Sequence, residues 1–232
     1  MLPIRDNVPT RSFPVMTVAL IAANFVVWFW ELSRPGLERH VYQYSFYPCS
    51  LDPPCVGGVD QVRELGPLPS LFTSMFMHGS WAHILGNMLF LWIFGNNVED
   101  AMGKLRFLVF YLLGGLAASG LQLVVTLVSS SQLEESIPNL GASGAIAAVL
   151  GAYLVLLPNA SVMTFVGFFL IPVPAVLFLG FWFLFQLWQG GFSIMHPEAG
   201  GGVAFFAHVG GFVFGLATVL FFIVRRPLRP QW

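Results

Sequence analysis

Long uninterrupted apolar runs constrain this chain more than any other feature. The first extends from about Phe13 to Leu32, 20 residues. About 20 apolar residues, at ~1.5 Å of helix rise each, cross the ~30 Å hydrocarbon core of a bilayer. Comparable runs lie at about 81–98, 107–128, 143–157, 162–188 and 203–224. Charged side chains make up only 9% of the 232 residues and hydrophobic ones 56%. A soluble domain holds roughly 25% charged residues. It also has no way to hide so much apolar surface. The runs are continuous rather than alternating, which argues against a transmembrane β-barrel. The expected fold is all-α, a polytopic bundle of six membrane helices in one domain, 1–232. The first run is too long for a signal-peptide core, and more follow it. The lipid bilayer is therefore a required partner. A net charge of −1 gives no reason to expect nucleic acid, and nothing calls for a cofactor or metal.

The connections carry the polar residues. Residues 33 to about 80 form a long loop with turn signals at Asp52-Pro53-Pro54 and Gly57-Gly58. Its stretch 40–48, rich in tyrosine, suits a membrane interface. Cys49 and Cys55 stand there with two prolines between them. They are either a disulfide or a pair of free thiols, since two thiols do not complete a tetrahedral metal site. Glu99, Asp100, Lys104 and Arg106 mark a short loop after the second run. Pro172 and Pro174 are expected to kink or break the first part of the fifth. A glycine-rich loop, 189–202, precedes the sixth. With the N-terminus inside, inner segments hold seven basic residues and outer segments three. This asymmetry predicts cytoplasmic termini, with the plasma membrane as the expected location.

Ser143 opens the fourth run, which is short. Ser143 to Leu157 is 15 residues, or about 22 Å of helix. Its serine end stops several Å inside the membrane. Taken alone, such a serine is a small packing residue. The nucleophile elbow of α/β-hydrolases does not match, because position 145 is alanine and no alternating strands and helices surround it.

Three runs place polar groups at a similar depth near the outer face. His83 and Asn87, four apart, share one face of the second helix. His208 lies about five residues into the sixth run. Ser143, Ala147 and Gly151 form a small face on the fourth helix, and Gly211 and Gly215 form one on the sixth. Small faces pack closely, which would bring His208 opposite Ser143. The pair then reads as nucleophile and general base. No acidic residue in a run completes a triad, so a dyad is expected. The Ser143 backbone N–H, Asn87 and His83 are candidate oxyanion donors. The competing reading of His83 and Asn87 is interhelical hydrogen bonding.

These residues resemble the rhomboid family of intramembrane serine proteases. The resemblance rests on MHGSWAHILGN (77–87), GASG (141–144) and AHVGGFVFG (207–215), in that order. It covers nearly the whole chain in the basic six-helix form. It implies Ser143 as nucleophile and His208 as base, with His83, Asn87 and the Ser143 backbone at the oxyanion. It also implies a transmembrane helix as substrate, cut near its outer end after a small residue. Substrate access would involve the fifth span and the loop after it, with Trp182, Phe183, Phe185 and Trp188 as gate or as ordinary lipid-facing surface. His78 matches a position outside the catalytic set, a structural hydrogen-bonding residue. The Trp-Arg pair common in the family's first loop is missing here, and PCSLDPPC takes part of that space. The rival readings are an inactive rhomboid-like binding protein and a six-span transporter.

Overall fold

A computed structural model describes residues 2–33, 36–129, 135–195 and 204–231. A strand, β1 (Leu2–Asp6), precedes the first long helix, α1 (Val15–Leu32). Three short helices follow, α2 (Leu37–Tyr44), α3 (Val59–Val62) and α4 (Pro67–Thr73). Then come α5 (Trp81–Met102), α6 (Lys104–Ser129) and α7 (Ser143–Leu156). Strands β2 (Ser161–Val166) and β3 (Phe169–Pro174) lead into α8 (Ala175–Met195) and α9 (Phe205–Phe222). Among the described residues, α1, α6, α8 and α9 are long and apolar enough to cross a membrane. With α5 and the shorter α7 they form the expected polytopic helical bundle.

Helix α7 is its centre. Every residue from Gly144 to Tyr153 is buried, and α9, α6 and α5 pack around it. The small faces meet as their spacing requires. A Cβ on Gly211 would run into the Gly144 carbonyl oxygen, and one on Gly215 into that of Ala148. A Cβ on Gly151 would meet the Phe212 carbonyl oxygen. In lipid no hydrophobic effect draws helices together, so this backbone-to-backbone approach carries the packing.

The fifth span differs from expectation. Its first part, from residue 162, is a β-hairpin, and the helix begins only at Ala175. β2 pairs antiparallel with both β1 and β3, in the order β1-β2-β3. Gly167, at φ 62°, and Phe168 make the two-residue turn between Val166 and Phe169. Pro172 and Pro174 sit on the edge strand β3, where a missing N–H costs no ladder bond. The helix also runs further than expected. Gly190 and Gly191 are helical rather than loop, and residues 200–202 lie outside the described residues.

Glu99 and Asp100 are likewise not in a loop, because α5 continues to Met102. Both are buried and satisfied. Glu99 accepts from the backbone N–H groups of Met16 (3.0 Å) and Thr17 (2.7 Å) and from the Thr17 hydroxyl (2.8 Å). It thereby caps α1, whose N-cap Pro14 has no side chain able to do so. Asp100 takes Arg11 at 2.7 Å and Arg225 at 3.1 Å. These contacts, with the Gln231 N–H donating to the Asn7 carbonyl at 3.0 Å, hold both chain ends at one end of the bundle.

The long loop 33–80 is pinned at the opposite end, beside Ser143. Phe46 and Asn139 exchange backbone hydrogen bonds, and Gly141 N–H donates to the Ser74 carbonyl at 2.8 Å. Within it Phe46 and Tyr47 are buried, while Tyr42 is exposed. Cys49 and Cys55 form a disulfide, with Cα atoms 5.3 Å apart.

Candidate active site

Ser143 is the first residue of α7. Its N-cap is Ala142, which offers no side-chain cap. First-turn N–H groups of an uncapped helix are available to a ligand, and the helix dipole favours negative charge there. Gly141, at φ 111°, makes the turn into the helix. A Cβ on it would stand 2.7 Å from His83 Nε2 and 3.7 Å from Ser143 Oγ. Glycine thus lets the His83 imidazole lie against the backbone beside the serine.

The close packing of α7 on α9 sets the central contact. Ser143 Oγ and His208 Nε2 are 2.8 Å apart. His208 Nδ1 lies 2.8 Å from Gln186 Oε1, on α8. An amide oxygen only accepts, so Nδ1 carries the proton and Nε2 is left to accept from the serine hydroxyl. The Trp182 ring packs against the imidazole, tilted by 38° with centroids 5.8 Å apart.

Asn87 is held from behind. Its Nδ2 is 3.1 Å from His78 Nε2, and His78 Nδ1 donates to the Phe76 carbonyl at 3.1 Å. The His78 N–H in turn points at Glu31 Oε1, 3.4 Å away. Burial, and then the neighbouring His83, push the His78 imidazole down to about 4. It is therefore neutral at pH 7 and able to accept from Asn87. His78 and His83 meet edge to face, with centroids 5.0 Å apart.

A cavity of about 510 Å³ joins these groups. His83, Asn87, Ser143, Trp182 and His208 all line it. The structure therefore brings together Ser143, His208, His83 and Asn87, and places Ala147, Gly151, Gly211 and Gly215 in the helix seam behind them. The four aromatic residues of the expected gate divide. Trp182 faces the imidazole and Phe183 stacks on Phe212 at 4.6 Å. Phe185 and Trp188 face outward. Sequence reading passed over Gln186 and Glu31, although both are polar side chains inside apolar runs, the signal that marks intramembrane function.

The family model for the rhomboid domain matches residues 66–225, more than half of the chain. The chain belongs to the rhomboid family. It is 32% identical over 152 residues to rhomboid protein 1, mitochondrial, of Saccharomyces cerevisiae, covering 63% of this chain and 40% of that protein. It is 30% identical over 176 residues to presenilin-associated rhomboid-like protein A, mitochondrial, of Danio rerio, covering 71% and 41%. With presenilin-associated rhomboid-like protein, mitochondrial, of Homo sapiens it shares 29% over 226 residues, 92% of this chain and 51% of that protein. The chain thus spans about half the length, or less, of these relatives.

Proposed function

We propose that this rhomboid-family chain is an intramembrane serine endopeptidase. The observation that carries the reading is the 2.8 Å contact between Ser143 Oγ and His208 Nε2, on the wall of a cavity inside a membrane bundle. Ser143 attacks the scissile carbonyl as its proton passes to His208 Nε2. The oxyanion is met by the Ser143 N–H, the Asn87 amide and His83. His208 then gives its proton to the leaving amine. Water, deprotonated by the same imidazole, opens the acyl-enzyme.

The substrate is a transmembrane segment, cut near the Ser143 end after a small residue. Only near a helix end are backbone groups freed without leaving them unpaired in lipid. The basic residues support placing both termini inside and the site toward the outer face. The Cys49–Cys55 disulfide, on the Ser143 side, agrees with an oxidising exterior. The names of several relatives say mitochondrial. They weigh against the plasma membrane expected from sequence. An inactive relative would have no need to keep serine and imidazole in contact.

The test is fluorophosphonate labelling of the purified protein beside cleavage of a transmembrane substrate. Ser143→Ala should abolish both. His208→Ala should abolish cleavage, and the double variant should match either single one, because residues acting as a unit are non-additive. Substantial turnover by Ser143→Ala would overturn the assignment.

A further inference from the structure

We infer that Gln186 is the positioning residue of the catalytic base, the third member of the site after Ser143 and His208. The inference rests on the protease reading above and deepens it. A neutral imidazole has two tautomers, and only the one protonated at Nδ1 has a lone pair at Nε2 for the serine proton. Gln186 Oε1, 2.8 Å from Nδ1, selects that tautomer. It also fixes the rotation of the ring about its Cβ–Cγ bond. As His208 takes the serine proton, Nδ1–H remains donated to Gln186, and the positive ring keeps an acceptor while Gln186 itself stays neutral.

Burial explains why an amide fills this place. Gln186 is only 7% exposed, on a helix whose outer face is apolar. A carboxylate there would need a compensating charge, which is costly at membrane depth. An amide supplies the acceptor without it. Its location on α8 has a second consequence. Trp182 and Gln186 are four residues apart and share one face of α8. The indole packs against the imidazole at an angle while the amide holds its Nδ1 edge. α8 therefore builds the seat of a base that α9 carries. His208 is held in its working orientation only while α8 is docked against α9.

Gln186→Leu tests this, because leucine fills similar space and offers no acceptor. In the full chain, kcat for a transmembrane substrate should fall on the order of 10- to 100-fold, less than the roughly 10²- to 10⁴-fold that a general base itself supplies, and KM should hold. The rate of Ser143 labelling by a fluorophosphonate needs no helical substrate and should fall by a similar factor. Gln186→Glu restores an acceptor oxygen, with the imidazolium formed on proton transfer as its compensating charge, and should recover most of the labelling rate at a cost in melting temperature. A purely packing role makes the opposite prediction: leucine tolerated, with kcat and labelling unchanged. That result in an active wild-type background overturns the inference alone. A wild-type protein with no Ser143-dependent labelling or cleavage overturns the protease reading first. If Gln186→Leu does not fold by thermal melt, Gln186→Glu decides: labelling as slow as in His208→Ala, in a folded protein, refutes the role.

Discussion

Adding one methyl group at Gly211 should disable the site without touching it. Gly211 stands three residues after His208, and its α-carbon faces the backbone of Gly144, next to Ser143. A Cβ built there lies 3.1 Å from the Gly144 carbonyl carbon and 3.2 Å from the Ala147 Cβ, and it overlaps the Gly144 carbonyl oxygen. Carbon atoms settle at about 3.5–4.0 Å, and the overlap with the oxygen is tighter still, so α7 and α9 must part by about 1 Å. That displacement acts directly on the 2.8 Å contact between Ser143 and His208 and takes it beyond hydrogen-bond range. Misplacing reacting groups by about 1 Å costs on the order of 100-fold in rate. Overpacking costs about 1–3 kcal/mol of stability as well. Gly211→Ala should therefore lose both activity and melting temperature, and Gly211→Val should lose more of each. Ser143→Ala should lose activity alone. Melts in detergent run beside cleavage and labelling separate these cases. A Gly211→Val protein that melts and cleaves like wild type would mean that α7 and α9 do not meet at this seam in solution.

Other outcomes follow from the same geometry. Asn87→Ala should lower kcat about 10- to 1000-fold with the fold retained, as expected for loss of an oxyanion donor; unchanged kcat would assign Asn87 to packing. His78 makes stability pH-dependent. Its folded value of about 4 lies below the ~6.5 of a free histidine. Its contribution is therefore complete above about pH 6.5, falls as pH drops toward 4, and levels off below. Burial pushes the Asp6 carboxyl up to about 6, which acts in the opposite sense over the same range. The slope is therefore read as the difference between wild type and His78→Gln in melts between pH 4 and 7.5, with Glu31 and His83 as the ionisable neighbours of His78; identical pH profiles in the two proteins would remove His78 as a source. For Cys49 and Cys55, intact mass under non-reducing conditions should show no alkylatable thiol, and reduction should lower stability by about 2 kcal/mol for so short a loop; two thiols in the untreated protein would contradict the bridge.

What the sequence determined by itself is what hydropathy and spacing can carry. The apolar runs dictated a membrane bundle, because lipid leaves so few other solutions. The short run after Ser143 and the glycines at 211 and 215 were enough to place His208 opposite Ser143, since close helix packing is written in small residues four apart. Other features were decided by partners distant in the chain. Residues 161–174 are as apolar as a span, yet they form a hairpin because β1, some 160 residues earlier, supplies a third strand. Glu99 and Asp100 look like a loop until α1 presents its N–H groups and Arg11 and Arg225 arrive from the two chain ends. Gln186 reads as one polar residue in a lipid-facing helix. Only the rotation of α8 against α9 turns its amide oxygen onto the imidazole, and that angle depends on how three helices pack together rather than on any period within one of them.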